Sequence, residues 1–231
     1  MKKLIETIKN IFKIEELRKR ILFTLALILV YRFGSFVVIP GINPESLSAL
    51  QQQVEGNGLM GLLNIFSGGA FSNASIFALG IMPYISASIV IQLMGIVVPY
   101  FQKLQKEGES GRRKINQWTR YLTIIVLLLQ GPAYLANLHA QLPDAAFVLG
   151  RGSVLFTIGA TIVLIAGTMF VMWLGEKITD KGIGNGVSLI IMVGIIARLP
   201  HALMAELNTR FTEATGGLVM LVVELVLLFL G

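Results

Sequence analysis

The chain has 231 residues, of which 55% are hydrophobic and only 14% are charged, and its net charge is +6. Soluble domains are about a quarter charged, so this composition predicts a membrane protein. The chain has no cysteine, which excludes disulfides and thiolate metal sites. Its two histidines, His139 and His201, lie far apart in the sequence. We therefore expect no metal, no cofactor and no metal-dependent catalysis.

The first predicted element is an amphipathic helix within residues 1–20. Its apolar residues recur at helical spacing between Leu4 and Ile14, on the face opposite Lys and Glu. Such a helix would lie on the cytoplasmic surface of the membrane, attracted by anionic lipid. A charged extension that only sets the topology explains the same pattern equally well.

Long apolar runs follow this segment, and about 20 such residues cross a bilayer as a helix. Five runs are predicted to span the membrane: residues 21–39, 74–98, 118–136, 153–174 and 187–199. The fifth is short unless it begins in the glycine-rich segment near Gly182. Residues 200–217 are expected to form an external loop. The run 218–231 is too short to cross, as if the sequence stopped inside a sixth helix.

The distribution of Lys and Arg predicts the orientation. These residues are concentrated before the first run and between the second and third, and they are absent from residues 40–59 and 137–150. Cytoplasmic loops carry the excess of Lys and Arg. The N-terminus is therefore predicted to be cytoplasmic, with five crossings and a sixth that begins outside.

The segment between the first two runs, GLMGLLNIFSGGAFSNAS, predicts a re-entrant helix from about Leu59 to Phe66. Gly68 and Gly69 would end this helix, and Ser72-Asn73 would begin the second span. Non-helical backbone at membrane depth requires surrounding protein or a water-filled cavity. An ordinary external loop with some apolar residues is the alternative interpretation.

Within the second run, Pro83 is expected to bend or loosen the helix. Three polar residues of this run should face a protein interior or a lumen: Ser86, Ser88 and Gln92. Two pairs of aliphatic residues have i, i+4 spacing and so share a helix face: Ile81 with Ile85, and Val187 with Ile191.

Two polar segments, residues 181–188 and 106–114, could each bind a phosphate group or serve only as a loop between helices. The sequence KGIGNGVS, residues 181–188, lacks the spacing and the βαβ context of a phosphate loop. It is better explained as a flexible approach to a helix, with Asn185 and Ser188 as candidate caps. The sequence KEGESGRRK, residues 106–114, could contact phosphates of RNA, an acidic protein or lipid headgroups, or could be a solvated loop that sets the topology.

Two charged residues, Arg32 and Glu224, lie within apolar runs. Charges at membrane depth are functional candidates by default, whereas snorkelling or an internal partner is the structural explanation. The sequence names no partner for either, so both stay unassigned.

Four long stretches resemble the SecY family, the central subunits of the bacterial Sec protein translocon. They occur in family order: RFGSFVVIPGI (32–42), FSGGAFSNASIFALGIMPYISASIVIQLM (66–94), KEGESGRRKINQWTRY (106–121) and GTMFVMWLGEKITDKGIGNGVSLII (167–191). The resemblance implies an all-α polytopic channel of ten helices, built as two inverted five-helix halves around an hourglass pore. This chain would be the N-terminal five-helix half with the start of helix six.

The resemblance also implies roles for particular residues. The plug that closes the external funnel would be the segment around residues 59–71, with Leu59, Leu62, Leu63, Ile65, Phe66, Gly68 and Gly69. This half's share of the pore ring would be Ile81, Ile85, Val187 and Ile191, where Val187 is smaller than the isoleucine often found. Helices two and three would form one side of the lateral gate, with Ser86, Ser88 and Gln92 on that side. A cytosolic partner would contact Lys106, Arg112, Arg113 and Lys114.

The implied function is a protein-conducting channel in the bacterial plasma membrane. It would move unfolded secretory polypeptides across the membrane, and would release signal sequences and membrane segments laterally into lipid. The implied partners are SecE and SecG, the SecA ATPase or a ribosome, the nascent chain, and the C-terminal half of the same protein. No catalytic residue, cofactor or metal is implied.

Three alternatives remain on the residues alone. A secondary transporter also uses broken helices, and Arg32 and Glu224 are its only support here. An intramembrane enzyme needs a Ser–His pair, two Asp or a zinc cluster at depth, and the sequence indicates none of these. A scaffold that binds the same partners without conducting is distinguished only by a transport assay.

Overall fold

The computed structural model describes residues 14–56, 58–148, 150 and 153–212 of the chain. The helices of this part are α1 (Glu15–Gly34), α2 (Leu47–Gly56), α3 (Gly58–Phe66), α4 (Met82–Val97), α5 (Pro99–Lys106), α6 (Glu109–Gln141), α7 (Val154–Lys181) and α8 (Gly186–Thr212). Short 3₁₀ turns occupy Pro44–Ser46 and Asp144–Ala146. Among the described residues, β pairing is limited to two isolated bridges, Val38 with Ser75 and Ile42 with Phe147. The predicted all-α class is confirmed.

Helices α6 and α7 are long and apolar enough to cross a membrane. Helices α4 and α5 form a third candidate span if they count as one, although they meet at an angle of 99°. In α8 the apolar stretch is the shorter segment Gly186–Pro200. Helix α1 covers most of the first predicted run, but Arg18, Lys19, Arg20 and Arg32 lower its apolar character. The apolar helices identify a membrane protein.

Helix α1 begins before the first predicted run. It starts at Glu15, so residues 15–20 belong to the same helix as residues 21–34 and not to a separate interface helix. Ion pairs one turn apart support this start, with 2.8 Å between Glu15 and Lys19. Residues 1–13, where most of the predicted amphipathic helix falls, lie outside the described residues. The helix ends at Gly34 and not at Ile39.

The second span begins eight residues later than predicted, because residues 67–81 form successive turns. Ala74 and Gly80 have positive φ angles of 44° and 55°, which no α-helix contains. Ser72 and Asn73 therefore do not start the span. Pro83 lies at the second position of α4, where a proline fits the first turn, so it does not bend the helix.

The last described helix also differs from the prediction. Residues 200–212 are helical and not a loop, because α8 continues past Pro200 to Thr212. Residues 213–217 of the predicted loop, the apolar run 218–231 and Glu224 lie outside the described residues.

Two large apolar clusters hold the described helices together. The first joins the segment that follows α1, helix α2, and the adjoining ends of α6 and α7, with Leu50, Leu138 and Leu164 fully buried. The second joins α1, α7 and α8 to the start of α4, with Leu174, Ile178 and Ile190 fully buried. The turns 67–81 lie between them, because Phe71 belongs to the first cluster and Ala70 to the second.

Candidate functional site

The four aliphatic residues that the sequence selected come together in the structure. Ile81 is buried in the second apolar cluster, and three partly buried residues pack against the same cluster: Ile85, Val187 and Ile191. Ile81 is the residue that precedes α4, and its carbonyl accepts a hydrogen bond from the Ile85 N–H at 3.1 Å. Two helices distant in sequence thus contribute to one apolar surface.

The start of α8 determines where Val187 lies. The Asn185 side-chain oxygen accepts hydrogen bonds from the backbone N–H groups of Val187 and Ser188, at 3.0 and 3.3 Å. Asn185 is therefore a helix cap as predicted, whereas Ser188 donates to that cap. Gly186 allows the α8 backbone to approach α7, since a Cβ there would overlap the Gly175 carbonyl.

The short helix α3 ends in a glycine turn that follows the Schellman pattern. The Gly68 N–H donates to the Ile65 carbonyl and the Gly69 N–H to the Asn64 carbonyl, at 3.0 and 2.9 Å. Gly68 has a φ of 64°, which favours glycine at this position of the motif. The left-handed conformation of Gly68 ends the helix, and glycine fits there because a side chain would be strained and would press against the Gly194 backbone of α8.

The residues predicted for the plug differ in their environments. Leu63 packs against the first apolar cluster, and Gly68 and Gly69 are buried. Leu62 and Ile65 are exposed on the opposite face of α3, and Phe66 is partly buried. The side chain of Leu59 lies outside the described part. Helix α3 therefore has one packed face and one largely exposed face.

The turns that follow α3 satisfy their backbone with side chains. The Asn64 side-chain oxygen accepts from the Ser72 N–H and the Ser67 hydroxyl accepts from the Phe71 N–H, each at 3.1 Å. The Tyr134 hydroxyl, from α6, donates to the Phe71 carbonyl at 2.9 Å. These bonds supply the internal partners that non-helical backbone needs at membrane depth.

The three residues predicted for the lateral gate divide between two cavities. Ser86 lines an apolar cavity of about 340 Å³ between α3, α4 and α6. Ser88 and Gln92 line a more polar cavity of about 390 Å³ between α4, α5 and α6. The Gln92 side-chain N–H donates to the Ser88 hydroxyl at 3.2 Å. Ser86 and Ser88 flank the buried face of α4, which Ala87 and Ile91 form, so they point into different cavities.

The four basic residues predicted to contact a partner lie where α5 meets α6. Lys106 ends α5, and the other three lie near the start of α6. Arg113 pairs with Glu109 at 3.0 Å and Lys114 with Glu107 at 3.8 Å, all at the surface. Arg112 lines the same cavity as Gln92, so the structure brings this residue to the predicted gate.

Sequence reasoning missed three charged residues of the site. Arg120 of α6 makes a two-pronged ion pair with Glu176 of α7, beside a polar cavity of about 250 Å³ that Val187 also lines. Arg198 of α8 donates to the Ser72 hydroxyl at 3.2 Å. Arg198 lies inside the fifth predicted run. Like Arg32, it is a charged residue at membrane depth, and on that ground the sequence could have identified it.

These features define a class: a polytopic α-helical membrane protein in which a short helix and a buried, non-helical turn pack against the longer helices. The SecY family model matches residues 75–231. The chain belongs to the SecY family.

Relatives from three bacteria are named protein translocase subunit SecY. The chain is 50% identical to the protein from Escherichia coli strain K12 over 188 residues. This matched region covers 81% of the chain and 42% of the relative. For the protein from Halalkalibacterium halodurans the identity is 45% over 226 residues, a region that covers 97% of the chain and 51% of the relative. For Streptomyces scabiei it is 46% over 198 residues, which covers 83% and 45%. The chain thus spans about half the length of these relatives and corresponds to their N-terminal part.

Proposed function

We propose that the chain forms the N-terminal part of a protein-conducting channel subunit in the bacterial plasma membrane. The channel moves unfolded secretory polypeptides across the membrane and releases membrane-protein segments laterally into lipid. The main support is the single cluster that contains Ile81, Ile85, Val187 and Ile191, next to the buried turn after α3. The N-terminus is proposed to be cytoplasmic.

An aliphatic constriction suits this function for two physical reasons. Its side chains offer no hydrogen bonds to ions or water, so a narrow ring can lose its water and seal. The same side chains can pack around any polypeptide, because they need no specific polar partner. The C-terminal part of the protein would supply the other side of the ring.

Helix α3 is proposed as the plug of the external funnel, and α4 with α6 as one side of the lateral gate. A glycine turn attaches α3 to the second span, and its exposed face leaves room for movement. The chain itself needs no catalytic step. Energy would come from the SecA ATPase or a translating ribosome, with SecE and SecG as further membrane subunits and with basic residues 106–114 as a candidate contact.

Cysteine crosslinking in the complete protein tests the pore assignment. Single cysteines at Ile81, Ile85, Val187 and Ile191 should crosslink to a polypeptide arrested during translocation. The matched controls on the same helices are Leu93, which is 56% exposed, and Met192, which is 46% exposed. This part of the protein has no native cysteine, so within it each introduced cysteine is the single site of labelling. Equal crosslinking at control and ring positions would refute the pore.

Removal of residues 59–66 tests the plug. We expect the complete protein, reconstituted in vesicles, to leak ions faster without α3 while it still inserts and translocates. An unchanged leak would remove the plug from the proposal and leave the pore assignment standing.

A further inference from the structure

The turn that follows α3 is bonded to α1 by two neighbouring residues. The Arg32 guanidinium donates to the Gly68 carbonyl at 2.7 Å, and the Tyr31 hydroxyl donates to the Ser67 carbonyl at 3.3 Å. Arg32 also lies over the Phe36 ring, 4.8 Å from its centroid. The ring and the carbonyl hold the guanidinium on the turn and explain why a charge occurs in this apolar helix.

A second arginine reaches the same turn from α8. The Arg198 guanidinium donates to the buried Ser72 hydroxyl at 3.2 Å. It also covers Gly69, where a Cβ would lie only 3.2 Å from its Nε. Ser72 in turn donates its hydroxyl to the Gly69 carbonyl at 3.2 Å, so Arg198 and the turn form one connected network.

The position of the two cations complements the end of α3. A helix C-terminus carries partial negative charge on its last carbonyl groups, and cations there are stabilising. Arg32 and Arg198 are both partly buried, where such interactions are weakened less by water than at the surface. Hydrogen bonds from charged donors are also about twice as strong as neutral ones.

On the side of α3 that faces α4 and α6, the packing is interrupted by a cavity. Met60 and Leu63 pack against the first apolar cluster, but both also line the cavity of about 340 Å³ between α3, α4 and α6. A cavity removes packing contacts on that side, so polar contacts to α1 and α8 make up a larger share of what holds α3 in place.

We propose that Arg32 and Arg198 are positioning residues that latch the plug in its closed place. Arg32 fixes the turn to α1, and Arg198 fixes it to α8, the helix that carries Val187 and Ile191. Movement of α8 when a polypeptide opens the ring would pull Arg198 from Ser72 and release the plug. This inference rests on the proposed plug function of α3.

The test uses the complete protein, reconstituted in vesicles at equal amounts, with the resting ion leak as the measurement. We expect Arg32→Gln combined with Arg198→Gln to raise the leak about tenfold, because two charge-assisted bonds are lost. Each single variant should have a smaller effect, and Arg198→Lys should restore part of the closure. Arg20→Gln, which breaks only the exposed pair with Glu16, is the matched control and should leave the leak unchanged.

A second background separates a latch from general destabilisation. In the protein that lacks residues 59–66 there is no plug to hold, so the arginine substitutions should add no further leak. Ser72→Ala provides an independent variant, since it removes the hydroxyl that accepts from Arg198 and keeps the cation. It should raise the leak in the intact protein as Arg198→Gln does.

The outcomes distinguish the latch from the plug. If removal of residues 59–66 raises the leak but the double arginine variant does not, the latch is wrong and the plug stands. If the substitutions raise the leak equally with and without α3, they act on the channel at large and the latch is again wrong. If neither change alters the leak, the plug function fails and the latch fails with it.

Discussion

Helix α7 and the turn segment 67–81 lie side by side in the interior but satisfy their backbones in different ways. In α7 the bonds lie within one regular helix, and buried residues such as Leu164 and Val171 fix it by packing. In the turn segment irregular backbone bonds, such as the one from the Ser75 N–H to the Ala70 carbonyl, are supplemented by bonds from side chains of other elements, among them Asn64 and Tyr134. The helix can therefore serve as a rigid support, whereas the segment depends on a few separable contacts.

The contact between the two regions gives the largest expected effect. Gly167 of α7 lies against the Ile76 backbone, and a Cβ there would overlap the Ile76 carbonyl. Gly167→Leu should lower the stability of the complete protein by about 3 kcal/mol or more, because backbone on both sides must move. The measurement is the melting temperature in detergent and the amount of inserted protein.

Gly159→Leu is the matched control for that substitution. Gly159 is in the same helix, but nothing lies within 4 Å of the position of its Cβ. Its stability should stay the same or rise slightly, since glycine weakens a helix interior. Similar losses of stability at Gly167 and Gly159 would show that leucine destabilises α7 wherever it is placed. The contact with the turn segment would then not explain the effect at Gly167.

Loss of one hydroxyl in the turn segment should have the next largest effect. Ser67→Ala leaves the buried Phe71 N–H without its acceptor, which costs about 1–3 kcal/mol. Thermal unfolding in detergent measures the loss. A stability equal to that of the unchanged protein would mean that the segment does not depend on its side-chain bonds.

The ion pair between the two regular helices should contribute less. Arg120 and Glu176 join α6 to α7, but their side chains are 46% and 20% exposed. A double-mutant cycle with Arg120→Gln and Glu176→Gln should give a coupling free energy of about 1 kcal/mol. A coupling free energy larger than the stability lost in Ser67→Ala would contradict the view that packing dominates among the regular helices.

The smallest effect is expected inside α7 itself. The Thr168 hydroxyl is buried and has no hydrogen-bond partner among the described residues. Thr168→Val keeps the shape and removes the polar group, so the stability should be unchanged or rise by up to about 1 kcal/mol. A clear loss would indicate a partner from another part of the protein, which a complete-protein structure would identify.

Part of this architecture could be predicted because it depends on neighbours in the sequence. The apolar runs predicted helices that the structure contains, and Asn185 was recognised as a cap from its position before the last of them. The pattern GLLNIFSGG predicted a short helix that ends at a glycine pair, and α3 ends at Phe66 before Gly68 and Gly69. Each signal lies within a few residues of what it determines.

Other features had no such local signal. Ala74 to Ile81 continue an apolar run, so the sequence predicted helix where the structure has turns. Tertiary contacts overrode that pattern, since the Val37 carbonyl accepts from the Ile76 N–H and the Ala74 carbonyl accepts from the Ile39 N–H. The distribution of Ser86 and Gln92 between two cavities likewise depends on how α4 packs against its neighbours.

The sequence by itself determined that the protein is a membrane protein of the all-α class, because lipid offers backbone groups no partners and apolar runs must bond within themselves. It also selected the four aliphatic residues of the proposed ring. Only the tertiary structure decided which charges meet the turn after α3. Arg32 lies 36 residues from its acceptor and Arg198 lies 126 residues from its own. Bonds of that separation depend on how whole helices pack, and no short pattern in the sequence specifies them.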